Sequence, residues 1–271
     1  MKRIAGLAAA LVVVAAACSD SPTAPGKNPL IMDGSLSRPE KVALDKSYGI
    51  APQTRSNPSD GKQYVTSTPP FWISTLGTNL LQSDDDSDFI LIPFPFNFFG
   101  RNWTGVWVGS NGYLTFDAPF TSFVPSSFPT TPPHAIIAAA WEDWNPDVAG
   151  GVFFVVVGQA PNRRLVVTWN GLPVFGEGAT PQGTFQVQLL ERLNVILLSY
   201  NSLARTTSHW GPPVIAGIAS GGFAGFGGFP GQVIVASGPQ IPALNGRTTC
   251  LINLGGAYRV YQDLICSLFV F

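Results

Sequence analysis

From Phe71 onward, apolar and polar positions fall into short runs separated by Gly, Pro and Asn. The cleanest run is TFQVQLLE, 184–191, where Phe185, Val187 and Leu189 fall on one face and Gln186, Gln188 and Leu190 on the other. Side chains of a strand alternate between the two faces, so this spacing predicts a half-buried strand. RLVVTWNGLPVF, 164–175, sets Leu165, Val167 and Trp169 against Val166, Thr168 and Asn170 in the same way. AIIAAAW, 135–141, and GVFFVVV, 151–157, are apolar throughout and predict strands buried on both faces. NVILLSYNSL, 194–203, and VIAGIAS, 214–220, continue the series. FILIPFPFNFFG, 89–100, contains prolines, which donate nothing to a ladder, and so belongs at a sheet edge or a strand start. Strands at this spacing with turns between them predict an all-β fold, an antiparallel β-sandwich.

VWVGSNGYLTF, 106–116, reads as a hairpin with Asn111-Gly112 in a two-residue turn, the favoured pair for type I′. That register puts Trp107, Leu114 and Phe116 on the core face. Val106, Val108, Tyr113 and Thr115 take the other face, and the turn is left at the surface.

The ends differ from this middle. Lys2 and Arg3 precede an apolar run, Ile4 to Ala17, shorter than the roughly 20 residues that span a bilayer. It reads as an export signal, 1–17. Ala15, Ala16 and Ala17 before Cys18 resemble a bacterial lipobox, although Ala15 stands where leucine is commoner. The resemblance implies cleavage before Cys18 and a lipid on its thiol; an ordinary cleaved signal is the alternative. Residues 18–70 are rich in Ser, Pro, Gly and Asp and predict a flexible tether. After 222 the text becomes Gly- and Phe-rich and ends in a tail with Cys250 and Cys266. Two cysteines in an exported chain most simply pair, so 223–271 is expected as a small C-terminal appendage with a disulfide.

Composition narrows the field. Only 11% of residues are charged, the net charge is −1, and 29 Gly and 24 Pro supply turns. There is no basic footprint for nucleic acid. Two histidines and no CxxC pattern argue against zinc.

The ordered segments FPFNFFG (94–100), SNGYLTF (110–116), IIAAAWEDW (136–144), VVTWNGLP (166–173) and TFQVQLLE resemble the nidogen-like extracellular domain. They also resemble a related module of secreted bacterial proteins. The resemblance spans 71–222. It implies an extracellular β domain used in adhesion or scaffolding, with no catalytic residues to carry over.

Three groups of residues offer chemistry. Asp84, Asp85, Asp86 and Asp88 cluster in a predicted loop, and clustered carboxylates can supply oxygen ligands to Ca²⁺, the candidate cofactor. A solvated acidic loop is the alternative. WEDWNPD, 141–147, brings Glu142 and Asp143 between tryptophans; a glycoside hydrolase uses paired carboxylates, but adjacent residues of an extended chain point apart. This loop could instead add ligands to the aspartate cluster. Trp103, Trp144 and Trp210 lie near predicted loops and could stack on sugars. His134 and His209 read as surface residues, and no G-x-S-x-G elbow is present.

The expectation is therefore an exported protein anchored through a lipid on Cys18 in the cell envelope, at the outer membrane or cell surface. Its β domain is expected to be non-enzymatic and to bind an extracellular protein or a glycan. A carbohydrate-binding module using the loop tryptophans is the alternative, and a glycoside hydrolase a more distant one.

Overall fold

The computed structural model describes residues 69, 71–125, 134–224 and 230–270. The expected export signal, Cys18 and nearly all of the expected tether lie outside the described residues.

Two antiparallel sheets pack face to face. One has seven strands in the order β1-β6-β7-β8-β9-β12-β13 and the other six in the order β11-β10-β5-β4-β3-β2. The strands are β1 Thr78–Leu81, β2 Ser87–Phe98, β3 Arg101–Gly109, β4 Tyr113–Thr115, β5 Ala135–Trp141, β6 Gly151–Val157 and β7 Arg164–Leu172. They continue with β8 Gly183–Leu190, β9 Val195–Leu203, β10 Ile215–Ala224, β11 Pro230–Ser237, β12 Arg247–Leu254 and β13 Ala257–Gln262. A 3₁₀ turn, Gly238–Leu244, and a final helix, α1 Leu264–Val270, complete the described residues.

The alternation in the sequence sets the faces. Phe185, Val187 and Leu189 of β8, and Leu165, Val167 and Trp169 of β7, enter the core between the sheets. Proline-bearing β2 lies at the edge of its sheet, with its register shifted between Leu91 and Phe96 around Pro93 and Pro95. β5 is buried on both faces. Ile137 and Ala139 face the inter-sheet core, while Ile136, Ala138 and Trp141 join Tyr113 beneath Phe120 on the outside. Polar ends of core aromatics find partners across the sheets. Trp169 Nε1 donates to the Gly109 carbonyl at 3.0 Å, and the Tyr200 hydroxyl to that of Ala139 at 2.8 Å. These bonds satisfy groups that burial would otherwise leave unpaired.

The β3–β4 hairpin corrects the expected register. Trp107 faces Thr115, Val108 faces Leu114 and Gly109 faces Tyr113. The loop is therefore three residues long, Ser110 to Gly112. Gly112 alone of these has positive φ, 84°, as fits a three-residue loop rather than type I′. A one-residue slip exchanges the faces. Val106, Val108, Leu114 and Phe116 enter the inter-sheet core, while Trp107 packs outside, edge-on to Phe89 at 5.2 Å.

The C-terminal tail is a hairpin that extends a sheet edge. β12 pairs with β9 and β13 with β12, while β11 borders the other sheet. Ala236, Ile241, Leu244, Leu251 and Tyr258 belong to the main core, so the core runs past the expected boundary at 222. Cys250 in β12 and Cys266 in α1 form the expected disulfide, with Cα atoms 5.7 Å apart, among Leu190, Val195 and Leu197.

Candidate functional site

One end of the sandwich gathers the loops β1–β2, β3–β4, β5–β6, β7–β8 and β9–β10. The hairpin tip organises it. Asn111 is fully buried; its Nδ2 donates to Asp85 Oδ1 at 2.7 Å, and its Oδ1 accepts from the Trp144 amide at 3.1 Å. The Asn111 carbonyl accepts from the Glu142 amide, and that of Gly112 accepts from the Ala139 and Ala140 amides. A Cβ on Gly112 would meet the Ala140 carbonyl oxygen. This tip is packed interior, not the exposed turn expected from the sequence. It joins the 82–86 loop to the segment 142–145.

That junction assembles an acidic group. One carboxylate oxygen each of Asp84, Asp85 and Asp143 lies within 4.8 Å of the others. Asn145 Nδ2 makes a long contact to Asp84 Oδ2, 3.4 Å. Asp84 is half-buried, and burial, then the charges of Asp85 and Asp143, push its carboxyl up to about 6. Asp143 is also pushed up to about 6 by burial, against the Trp210 indole N–H, which favours the charged form. Burial likewise raises Glu142, opposed by the amides of His209 and Asp143.

The sequence cluster is thereby divided. Asp86 Oδ1 accepts from the Ser87 amide at 2.8 Å, and Asp88 Oδ1 from that of Phe89 at 2.8 Å. Both serve the start of β2 and stand outside the acidic group. Asp143, fifty-odd residues further along the chain, takes their place. No spacing rule joins it to Asp84; the pairing of β4 with β5 does.

Beside the acidic group lies an aromatic rim. Trp210 is 48% exposed and donates from Nε1 to Asp143 Oδ2 at 2.5 Å. Phe175 lies 6.5 Å away with its ring stacked on the indole, Phe123 lies 5.3 Å away, and His209 is edge-on at 5.1 Å. Glu142 holds this loop in place: its Oε1 accepts from the His209 amide at 3.1 Å and the Asp143 amide at 3.0 Å. Asn111 was legible only as a turn residue and Asn145 only as part of WEDWNPD, while Phe123 and Phe175 lie on loops without a motif.

Several candidates need correction. Trp103 is 2% exposed, and its ring packs between Phe116 and the Arg101 guanidinium. Trp144 is fully buried against Phe185, with Nε1 donating to the Ala140 carbonyl at 2.8 Å. Neither ring can stack on a ligand; both are core. Glu142 is fully buried, so it and Asp143 do not face a cleft together as a hydrolytic pair. His134 is no surface residue: it is 5% exposed and lies 3.1 Å from Asp117 Oδ2.

Comparison with known proteins places this architecture. A family model described as NIDO related matches residues 63–231, more than half of the chain. Alpha-tectorin of Mus musculus is 29% identical over 228 residues, covering 72% of this chain and 10% of that protein. Alpha-tectorin of Homo sapiens is 28% identical with the same coverage, and that of Gallus gallus is 25% identical over 189 residues. The chain spans about a tenth of the length of the curated relatives it matches. No solved structure matches it.

Proposed function

The chain belongs to the NIDO-related family of extracellular domains, and from that premise we propose that it is a lipid-anchored envelope protein whose domain binds an extracellular partner without catalysis. The partner surface is the loop end that carries Trp210. The anchor is the lipid on Cys18, supported by the charged start, the apolar run and the small residues before that cysteine.

One observation carries the binding reading. Trp210 is a large side chain left 48% exposed, yet its indole is held by a hydrogen bond to Asp143 and its loop by Glu142. A fixed, exposed indole loses little conformational entropy when a partner covers it, and tryptophan is enriched among residues that dominate binding energy. Phe123 and Phe175 widen the apolar surface around it. An extracellular protein is the first reading of the partner. A glycan is the second, favoured by the same indole as a stacking platform for a sugar ring.

The test is a binding screen of the full chain on a combined array of extracellular proteins and glycans, with Trp210→Ala in parallel. The expected outcome is a saturable hit weakened at least tenfold in the variant, while both proteins keep the same circular-dichroism spectrum. Hits that the variant binds equally well would contradict the assignment. The anchor is tested by the mass of the mature protein: an acyl addition on Cys18 is expected, and an unmodified cysteine would refute it.

A further inference from the structure

The acidic group holds more unmet oxygen than a solvated loop does. Asp143 is 2% exposed and Asn145 is 7% exposed, yet Asp143 Oδ1 and Asn145 Oδ1 are buried with no hydrogen-bond partner. Buried acceptors in native proteins are nearly always satisfied, by protein, by water or by an ion. The neighbouring atoms are already engaged. Asp143 Oδ2 accepts from the Trp210 indole, Asp85 Oδ1 from Asn111 and Asp84 Oδ1 from the Asp85 amide. Asp143 Oδ1 is left unpaired in a group where one carboxylate oxygen from each of Asp84, Asp85 and Asp143 lies within 4.8 Å of the others. Like charges this close, partly out of water, repel unless a cation lies between them.

We propose that Asp84, Asp85 and Asp143, with the side-chain oxygen of Asn145, bind one calcium ion that joins the β1–β2 loop to the β5–β6 loop. The donor set selects the metal. It is all oxygen, with no nitrogen or sulfur, which favours a hard cation over zinc or copper. Calcium accepts irregular arrangements of six to eight oxygens, some from water, and Asp85 is exposed and leaves the site open to solvent. Magnesium requires a near-octahedral shell and sheds its waters reluctantly, which suits this irregular set of loop oxygens less well. The amide of Asn145 stands at the edge of the group, where rotation about its last bond turns its oxygen towards Asp84.

The site shares Asp143 with the Trp210 surface, so the ion also fixes the anchor point of that indole. It does not depend on the proposed partner, because the test uses the metal alone.

The test is calorimetric titration of calcium chloride into the full chain after chelation, with thermal melting in parallel. One site per chain is expected. At free calcium a hundredfold above Kd the melting temperature should rise by about 5–10 °C. Asp143→Asn retains an acceptor for Trp210 and should abolish the binding heat and the calcium-dependent rise. It should also melt higher than the wild type in chelator, because one of three facing charges is gone. Asp84→Asn should abolish both as well, and provides the test if Asp143→Asn does not fold. Asp86→Asn and Asp88→Asn should bind as the wild type does. Equal melting temperatures in calcium and in chelator would overturn the proposal, as would full binding by Asp84→Asn. Tighter binding of magnesium than calcium would overturn the choice of metal.

Discussion

Asn111 sits fully buried at the tip of the β3–β4 hairpin, its amide divided between Asp85 and the backbone of Trp144. Replacing it with Ala removes both bonds, one of them to a carboxylate, and leaves a hole in a packed tip, a change that costs about 2–3 kcal/mol. Urea denaturation of Asn111→Ala should show that loss. Gly112→Ala should lose at least as much, since the new Cβ meets the Ala140 carbonyl and φ is 84°. Either variant unfolding at wild-type urea concentrations would contradict the packed tip. The Asn-Gly pair announced the turn correctly. It did not fix the loop length, because Gly serves a two-residue type I′ turn and a three-residue loop equally well. The structure chose the second, which buries Asn111 and sends Trp107 outward. Trp103 and Trp144 lie near loops in the sequence yet are core, because burial is decided by what packs over a loop.

At the scale of elements, β8 shows both the reach and the limit of patterning. Its alternation identified the inward face without error. It gave no sign that the outward Gln186 and Gln188 are buried. Their amides bond the backbone of the segment that precedes β1: Gln186 accepts from the Ile73 amide at 3.2 Å, and Gln188 donates to the Phe71 carbonyl at 2.7 Å. A period of two reports the face of a residue and not what later crosses it. The disulfide acts at the sheet edge. It closes a loop with a sequence separation of 16, for which chain entropy gives about 3 kcal/mol. Cys266→Ser should therefore melt about 6–12 °C lower, and an unchanged melting temperature would show that β13 and α1 are held by packing alone. At the turn between β8 and β9, Arg163 bonds Glu191 through Nη2 at 2.5 Å and Nε at 2.9 Å and holds its carboxyl below the ordinary 4.5. A lowered carboxyl stabilises the fold above its unfolded pKa and loses that contribution as pH falls through the folded one. Stability should decline below about pH 4.5, and Glu191→Gln should remove about 1 kcal/mol or less at neutral pH and flatten that decline.

At the scale of the whole molecule, the fold class was legible because the strands between 89 and 220 carried their own signals, while the site was not because it is a product of topology. Asp84 and Asp143 belong to loops that meet only through the order β3, β4, β5 in one sheet. The same order places Phe175, His209 and Trp210 at one end. The other end carries a groove between Arg163, Leu193, Leu254 and Leu268. Substitutions at the two ends distinguish which of them binds. Once the array identifies a ligand, its affinity should be measured for the full chain, for Trp210→Ala and for Leu268→Ser, whose side chain is exposed at the far end. At least a tenfold loss is expected in Trp210→Ala and none in Leu268→Ser. Loss confined to Leu268→Ser would place the binding surface at the opposite end and contradict the assignment to Trp210.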